Sequence, residues 1–465
     1  MRGPALMWRA PCDLLGPITQ NAAGPPGNIL VQEAGGRRLA GSTTMQLLLN
    51  LCLFVLALGA GARARGEKGE AVEELKGKCT LKASGGDDAP QFLKAVHSCS
   101  EVIIPKSATL NIATRLNMTG VSNKHIRVKG TIRFNPDIPY WSNNAFPFAY
   151  QTQITFWILG GENIRIDGGG TIDGAGQPWY NAFATNKTLA RPIMLTIFGA
   201  KHVVIEDLKM INSPEWFHFV NNAQDVTYNK LNISAVNALG TEAKNTDGWD
   251  IYRSSDGEPL SIAAIFRSPS IPVTIKNSII NNGDDCVSLK PNVTNVLVSN
   301  LKCNGSHGIS IGSLGQYPGV FDFIENFVAT DVVMSNGQNG ARIKAFAGPN
   351  VGSGIVRNIT FNHFSESLVN NPVVVDQCYM TNATACAAFP SNVLIQDVWF
   401  NNISGTGSGS LVAKIACSPG SRCSDINVNN FTLSAAPGQG SAVYQCQNTH
   451  LNGNAAGLFP TCTVT

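Results

Sequence analysis

Short runs of β-branched and aromatic residues recur along most of the chain, each beside a turn rich in asparagine or glycine. Nine of these runs begin at Asn163, His202, Asp225, Val273, Asn295, Asn326, Asn358, Asn392 and Asp425. All intervals but one between these starts are 22 to 39 residues, a spacing in the range of solenoid repeats. Since a unit of this length cannot bury an apolar face by itself, the chain is restricted to folds in which successive units stack on one another.

Apolar and polar residues alternate within the runs, which is typical of strands, and almost no segment has a sustained helical stripe. We therefore predict an all-β fold, a right-handed parallel β-helix of about ten coils in which asparagine ladders join neighbouring turns. A β-sandwich is the alternative, but its strands would be joined by hairpins, and the dipeptides Asn-Gly and Asp-Gly are too sparse at regular spacing. One segment, Gln91–Val96, is predicted to form a short helix that covers the N-terminal end of the stack.

The first 64 residues lie outside this repeat. Residues 45–64 have the pattern of a secretory signal peptide, with an apolar run that ends at Ala60 and a small-x-small cleavage site at Ala62–Ala64. The run is too short for a membrane anchor, although no lysine or arginine precedes it after Met45. We interpret Met45 as the natural start and residues 1–44 as a non-native extension, with a pro-extension as the alternative. Residues 65–465 would then form a single, secreted β-helix catalytic domain.

The charge of the chain gives no support for a nucleic-acid or membrane partner. The whole chain has a net charge of +3, but residues 1–64 contain five arginines and two acidic residues. The remainder has 34 − 5 = 29 basic and 31 − 2 = 29 acidic residues, which is a net charge of zero. Attraction to an anionic substrate must therefore come from a local arrangement of charged groups.

Cysteines and glycosylation sequons agree with secretion. Without Cys12 and Cys52, ten cysteines remain as five neighbouring couples: Cys79/Cys99, Cys286/Cys303, Cys378/Cys386, Cys417/Cys423 and Cys446/Cys462. An even number in an exported chain favours disulfides over metal ligation, and local pairing suits a stacked fold. Nine Asn-x-Ser/Thr sequons are candidate glycosylation sites: Asn117, Asn186, Asn232, Asn292, Asn304, Asn358, Asn382, Asn402 and Asn430.

One interval breaks the repeat, because Asp225 and Val273 are 48 residues apart. The excess lies in residues 257–272, which contain three prolines and an unpatterned apolar patch. Excising them joins Asp256 to Val273 and shortens the interval to 48 − 16 = 32 residues. Our hypothesis is that this segment is an inserted loop or a retained intron, which sequencing of the transcript would test.

Four polar motifs follow one another at intervals of tens of residues: Asn245–Asp250, Gly283–Cys286, Ser306–Ser313 and Arg342–Lys344. Without the insertion, Asp247 and Asp284 are 37 − 16 = 21 residues apart, and Asp285 and His307 are 22 apart, each about one coil. Paired carboxyl groups, one protonated and one ionised, are what cleavage of a glycosidic bond requires. An Arg/Lys pair suits a sugar that carries a carboxylate. Taken singly, each motif is more typical of a solvated turn or strand face; their co-occurrence indicates catalysis.

The four motifs resemble, in the same order, the signatures of the polygalacturonases, family 28 of the glycoside hydrolases. The resemblance runs from about Cys79 to the C-terminus, and the segments Gly176–Tyr180 and Ser313–Tyr317 are most similar to fungal exopolygalacturonases. Two small departures are Ser306, in place of the first glycine of Gly-His-Gly, and Ala345, where endo-acting relatives usually have threonine. The insertion is the larger departure.

This resemblance implies a role for each acidic residue. Asp284 would be the general acid, while Asp247 and Asp285 would hold and activate the attacking water, giving inversion of configuration. His307 would tune the protonation of the acid through a hydrogen bond. The motifs call for no metal and no cofactor.

The resemblance also implies the substrate contacts. Arg342 and Lys344 would bind the galacturonate carboxylate as a fork and a point charge, and Tyr379 matches a substrate-contacting tyrosine. Trp179 and Trp249 are either sugar-stacking platforms or buried parts of the solenoid wall. The expected partner is polygalacturonate, and the expected state is a monomer.

Several functions are compatible with these residues. The leading one is exo-hydrolysis of homogalacturonan from the non-reducing end, for which the segment Asn135–Thr155, rich in aromatic residues and proline, is a candidate wall that closes the cleft. An endo-acting pectin hydrolase is the nearest alternative. A pectate lyase would need calcium and an Arg or Lys base, and a pectin-binding β-helix would have no activity.

Overall fold

A computed structural model describes residues 76–254 and 273–464. The predictions for residues 1–44, 45–64 and 257–272 lie outside the described residues and stay predictions. Within the described ranges, no helix combines the length and the apolar character that crossing a membrane requires.

The first half of the described chain contains these strands: β1 Lys76–Thr80, β2 Cys99–Ile104, β3 Thr109–Ile112, β4 Leu116–Val128, β5 Thr131–Phe134, β6 Phe146–Pro147, β7 Ile154–Thr155, β8 Trp157–Asp167, β9 Thr171–Asp173, β10 Pro192–Ile193, β11 Leu195–Phe198, β12 Lys201–Ile211, β13 His218–Asn221, β14 Gln224–Ser234 and β15 Trp249–Tyr252. The second half contains β16 Val273–Asn281, β17 Val287–Leu289, β18 Val293–Asn304, β19 Ile309–Leu314, β20 Phe321–Ser335, β21 Asn339–Phe346, β22 Ser353–Val369, β23 Asn371–Tyr379, β24 Asn392–Gly407, β25 Leu411–Ala416, β26 Cys423–Asn429, β27 Thr432–Ser434, β28 Val443–Gln447 and β29 Leu451–Asn452. The α-helices are α1 Ala89–Ser98, α2 Ile138–Asn144, α3 Gln177–Thr185 and α4 Ala383–Ala388.

Strands of successive coils pair in parallel, so the predicted right-handed parallel β-helix is confirmed. One ladder runs from β12 through β14, β16, β18, β20, β22 and β24. It stacks the buried side chains of Val203, Val226, Val273, Val296 and Phe327 in one column of the core. A second ladder, from β11 through β13, β15, β17, β19, β21 and β23, forms another wall of the same coil.

The nine runs singled out in the sequence lie in the first ladder and in the strands β8 and β26 that pair with its two ends, but one of them is out of step. In these coils, a residue with a positive φ comes immediately before an inward-facing residue of the strand. This residue is Asn326 in β20, Asn358 in β22 and Asp397 in β24, each with φ between +52° and +58°. Asparagine and aspartate tolerate this left-handed conformation. The run at Asn392 pairs instead with Ser353, so Asp397 rather than Asn392 occupies the repeating position.

The predicted asparagine ladders and the capping helix are both confirmed. Asn277 donates to Asn229 and Asn300 donates to Asn277, each at 2.8 Å, so one side-chain amide satisfies the next along the stack. Helix α1 contains the predicted Gln91–Val96 and packs against β2, β3 and β4. Its buried face includes Phe92, whose ring meets that of Trp157 edge to face at 5.8 Å.

All five predicted disulfides are present in the described chain: Cys79–Cys99, Cys286–Cys303, Cys378–Cys386, Cys417–Cys423 and Cys446–Cys462. Their sequence separations range from 6 to 20 residues, so each bond closes a local loop of the stack. The pairing of neighbours follows from the solenoid, because residues close in sequence are close in space.

The nine sequons differ in their local structure, and their glycosylation stays a prediction. Asn117 and Asn186 are exposed, and the Oδ1 of each accepts hydrogen bonds from the threonine two residues on. Asn304, Asn358, Asn402 and Asn430 instead donate their side-chain amide to another asparagine of a ladder. We therefore expect Asn117 and Asn186 to be better acceptors, since their amides are not engaged in a ladder.

Glu366 in β22 is a fully buried carboxyl group whose two oxygens have no hydrogen-bond partner within the described ranges. Burial raises its pKa well above the usual range, so the folded protein holds a proton that the unfolded chain releases from about pH 4 upward. Stability should therefore fall as the pH rises, by up to about 1.4 kcal/mol per pH unit from this group. In Glu366→Gln this contribution is absent, so urea unfolding should show a smaller loss of stability between pH 5 and pH 8.

The control for this prediction is Glu162→Gln, which makes the same change at an exposed position. It should leave the pH dependence of the unfolding free energy unaltered. Identical pH dependence in wild type and Glu366→Gln would contradict a protonated Glu366.

Candidate active site

The predicted aspartates and histidine lie at equivalent points of successive coils, each just before a strand of the second ladder. Asp247 precedes β15, Asp284 and Asp285 precede β17, and His307 precedes β19. The amide of His307 donates to the carbonyl of Asp284 at 2.8 Å, and the amide of Gly248 donates to that of Asp285 at 3.0 Å. The spacing of one coil therefore does bring these groups to one face.

Tight turns hold the motifs in place. The side-chain amide of Asn282 donates to the carbonyls of Thr246, Asp284 and Asp285 at 2.9 to 3.0 Å, which ties two coils together. Gly308 has φ of +120°, and a Cβ there would lie 2.7 Å from the carbonyl oxygen of Gly340. Only glycine combines this backbone conformation with such close approach.

Asp284 is half-buried and lies between two polar partners. Its Oδ2 accepts from the amide of Asn245 at 3.2 Å, and its Oδ1 lies 3.1 Å from Nδ1 of His307. Nε2 of His307 lies 2.5 Å from Glu242. Burial opposes a charge on the imidazole, but Asp284 and Glu242 outweigh it and raise the pKa of His307 to about 10. The ring is therefore a cation that donates to Asp284.

Asp285 is buried and held as a carboxylate. Nζ of Lys344 lies 2.6 Å from its Oδ2, the hydroxyl of Ser310 donates to Oδ1 at 2.7 Å, and Arg342 is 3.8 Å away. Burial by itself would raise the pKa of Asp285, but the charges of Lys344 and Arg342 hold it well below its usual range. Lys344 is thus an ion-pair partner inside the site as well as a candidate substrate ligand.

Asp247 is buried in a more acidic environment. Burial raises its pKa well above the usual range, and the carboxylates of Asp250 and Asp284 raise it further. Asp250 forms an ion pair of 2.8 Å with Lys290, yet burial still raises its pKa to about 7. The site thus combines a proton-holding Asp247 with an ionised Asp285.

Asp247, Asp284 and Asp285 each offer a carboxylate oxygen, and these oxygens lie within 4.8 Å of one another. Among the described residues, this is the group whose donors could hold a metal ion. The Asp285 carboxylate, however, is already neutralised by Lys344 at 2.6 Å. The arrangement therefore suits proton transfer between carboxyl groups and a bound water.

The aromatic candidates divide into two kinds. Tyr379 is partly exposed, and its ring lies 5.3 Å from the Arg342 guanidinium and 5.4 Å from Nζ of Lys344. It therefore lies beside the cationic pair, and its contact with substrate stays a prediction. Trp179 and Trp249 are fully buried. Burial rules out the sugar-stacking role and supports the alternative, in which both belong to the solenoid wall.

Three functional candidates, Asp250, Lys290 and Glu242, were missed in the sequence. Asp250 is the last residue of the motif Asn245–Asp250, but its burial and its ion pair with Lys290 depend on how the coils pack. Glu242 lies five residues before Asp247 in an unpatterned loop, so no sequence signal connects it to His307. These contacts join residues 40 to 65 positions apart.

The segment Asn135–Thr155, which we name the wall segment, contains α2, β6 and β7. Its Tyr150 stacks on Tyr252, the last residue of the strand that follows Asp247, with ring centroids 4.1 Å apart. Gln151 reaches Gln316, in the segment after β19, at 3.4 Å. Gln151 and Thr152 both have φ near +50°, a strained conformation for residues other than glycine. The packing around Tyr150 must hold this strained turn beside the cleft.

Comparison with known proteins agrees with this geometry. Residues 95–457 match the model of the family described as glycosyl hydrolases family 28. The chain is 41% identical over 389 residues to an exopolygalacturonase of Cochliobolus carbonum, covering 80% of this chain and 83% of that one. It is 40% identical over 415 residues to exopolygalacturonase X of Aspergillus niger, covering 82% and 92%.

The fold agrees as well. The crystal structure of an endo-xylogalacturonan hydrolase from Aspergillus tubingensis superimposes with a TM-score of 0.70 at 28% identity, covering 83% of this chain and 99% of that one. The chain therefore belongs to family 28 of the glycosyl hydrolases and is a glycosidase similar to the fungal exopolygalacturonases.

Proposed function

We propose that the protein is a secreted enzyme that hydrolyses α-1,4-galacturonosyl linkages of homogalacturonan and releases galacturonate from the non-reducing end. The observation that carries the proposal is the partly buried Asp284 beside a fully buried Asp285 that cations keep ionised. A protonatable and an ionised carboxyl group are what glycoside hydrolysis needs. The names of the fungal relatives support the choice of substrate. We further propose that the enzyme acts as a monomer without a cofactor.

In this proposal the three aspartates divide the proton transfers. Asp284 gives its proton to the departing glycosidic oxygen, and Asp285 takes a proton from the attacking water. Asp247, with its raised pKa, holds that water through a hydrogen bond. The cationic His307 stabilises the carboxylate that Asp284 becomes, which lowers the barrier at the moment charge develops.

The substrate carboxylate is proposed to bind at Arg342. Lys344 is engaged with Asp285 at 2.6 Å, whereas the Arg342 guanidinium lies 3.8 Å from that group and is freer to turn its fork outward. The Tyr379 ring, 5.3 Å from the guanidinium, supports its orientation.

Exo action is supported by the wall segment. Its turn at Gln151 and Thr152 spans from the aromatic cluster of Tyr150 and Tyr252 to Gln316, on one side of the carboxylates. An obstruction there would let only a chain end reach Asp284. Endo action needs a cleft that is open on both sides.

Inversion is proposed from the family resemblance. The carboxylate oxygens lie within 4.8 Å, which is shorter than the roughly 6.5–9.5 Å between carboxyl groups that is usual for inverting enzymes. The usual separation applies to a pair of carboxyl groups with the water between them. Here three carboxyl groups cluster, so Asp247 and Asp285 can hold the water between them while Asp284 acts as the acid.

Chromatography of the earliest products from polygalacturonate tests the mode of attack. We expect monogalacturonate alone, because the wall segment admits only the last sugar past the acid. A ladder of oligomers at early times would refute exo action. Proton NMR of the same digest should show the β-anomer first if the configuration is inverted.

The same assay separates the other candidate functions. Hydrolysis gives new reducing ends without ultraviolet-absorbing products, and a chelator should not affect it. A lyase would give unsaturated products that depend on calcium, and a binding protein would release nothing.

A further inference from the structure

We propose that a cavity on the N-terminal side of Asp284 binds the non-reducing terminal galacturonate, with Lys187 as the cation for its carboxylate and Glu215 as a hydrogen-bonding group. We name this cavity the terminal pocket. The inference rests on the proposed exo action and adds the residues that would recognise the terminal sugar.

The terminal pocket has a volume of about 420 Å³, within the roughly 300–1,000 Å³ of small-ligand sites. Its lining includes Gln151–Ile154 of the wall segment, Phe183 of α3 and the segment Lys187–Arg191 that follows α3. Glu215 and Asn245 complete the lining. The wall segment therefore forms part of the lining of an open, polar cavity as well as packing against Tyr252.

The pocket is connected directly to the general acid. Asn245, part of its lining, donates its amide to Oδ2 of Asp284 at 3.2 Å. Arg191 in turn donates to Oδ1 of Asn245 at 2.8 Å, which fixes the orientation of that amide. A sugar in the pocket would thus contact Asn245, whose amide is hydrogen-bonded to the group that protonates the bond to the next sugar.

Arg191 is a structural part of the pocket. It is 2% exposed, its guanidinium lies 3.7 Å from the ring of Phe183, and it donates to the carbonyls of Pro214 and Lys244. With these contacts made, Arg191 supplies positive potential and holds Asn245, but it is not free to grip a ligand.

Lys187, by contrast, is free to bind a ligand. It is exposed, its Nζ lies 4.9 Å from the Phe183 ring, and it has no carboxylate partner among the ion pairs of the described chain. Because a long, solvated ammonium can swing over a polar cavity, it suits the carboxylate of a uronic acid entering from solvent. The cationic pair Arg342 and Lys344 belongs to later coils, beyond Asp284, so the two sets of cations would serve two adjacent sugars.

Glu215 gives the pocket a neutral polar group at acid pH. It faces Arg191, Gln153 and, more distantly, Asp284. Burial raises the pKa of Glu215 to about 7, although Arg191 opposes the rise. Below that pH the protonated carboxyl can donate to a sugar hydroxyl without repelling the uronate, and Lys187 and Arg191 leave the pocket positive.

The test compares trigalacturonate with the same trimer whose non-reducing terminal carboxylate has been reduced to the alcohol. Wild type should prefer the acid trimer in kcat/KM by roughly tenfold, and Lys187→Met should lower this preference to about threefold or less through KM. The reduced trimer lacks the carboxylate that Lys187 would bind, so the substitution should change its kcat/KM much less than that of the acid trimer. The substitution keeps the Asn186 sequon, because Thr188 is unchanged.

Lys209→Met, at an exposed position on β12, is the matched control and should keep the wild-type preference. Unchanged preference in Lys187→Met, with monogalacturonate still the sole product, would overturn the pocket assignment alone. A ladder of products from wild-type enzyme would overturn the proposed exo action itself, and the terminal pocket with it. Glu215→Gln adds an independent check, since it should remove the rise in KM that the ionised carboxylate causes in wild type above pH 7.

Discussion

Asp284→Asn is expected to lower kcat on polygalacturonate by about 10²–10⁴, with little change in KM. The amide has nearly the same shape and can still accept from His307, which lies 3.1 Å from Oδ1, but it has no proton to give to the departing oxygen. Initial rates of reducing-sugar release measure the effect. The loss of kcat should be far smaller on a galacturonide with a nitrophenolate leaving group, because this group departs without protonation.

Asp331→Asn is the control for this variant, because it makes the same change at an exposed position of β20 whose positive φ asparagine also tolerates. It should retain full activity. If Asp284→Asn kept more than about a tenth of wild-type kcat, Asp284 would not be the acid. Asp247, whose pKa burial raises well above its usual range, would then be the next candidate.

Lys344→Met is expected to reduce kcat/KM by about 10²–10³, and most strongly at low pH. Burial pushes the pKa of Asp285 upward, and the Lys344 ammonium at 2.6 Å is a main reason why it stays low. Activity requires the ionised base, which wild type retains down to very acid pH. Without Lys344 the pKa of Asp285 rises, so the acid limb of the kcat/KM profile should shift to higher pH.

The direction of that shift distinguishes two roles of Lys344. A uniform increase in KM with an unshifted acid limb would mean that Lys344 acts only as a substrate ligand, which the family resemblance implies. Lys302→Met, on the exposed side of β18, controls for loss of a positive charge and should leave the profile unchanged. Thermal unfolding of both variants shows whether lost activity reflects lost structure.

Much of the fold could be predicted because the solenoid is local. The inward residues Val203 and Val226 are 23 positions apart, as are Val273 and Val296, and each coil buries its apolar side against the next. The one misplaced repeat, at Asn392, arose where two β-branched runs lie in a single long strand, β24. Only pairing with β22 decides which of the two is in register.

The candidate site, like the fold, has features that the sequence predicts and features that only the tertiary structure decides. The chain itself determined which coils carry Asp247, Asp284, Asp285 and His307, because their spacing of about one coil forces them onto one face. Their protonation depended on the tertiary structure. Burial and the charges of Lys344, Glu242 and Lys290 set which carboxyl groups keep a proton, and those partners come from other coils.

The wall segment shows most clearly the difference between what the sequence predicts and what the tertiary structure decides. Its composition, rich in aromatic residues and proline, indicated an ordered excursion from the stack but carried no information on where it would pack. The contacts of Tyr150 with Tyr252 and of Gln151 with Gln316 join residues about 100 and 165 positions apart. The repeat and the acidic motifs were therefore readable from the sequence, since they depend on neighbouring coils. The enclosure of the cleft and the proton affinities of its groups were decided by the tertiary structure, because long-range packing controls burial and the distance between charges.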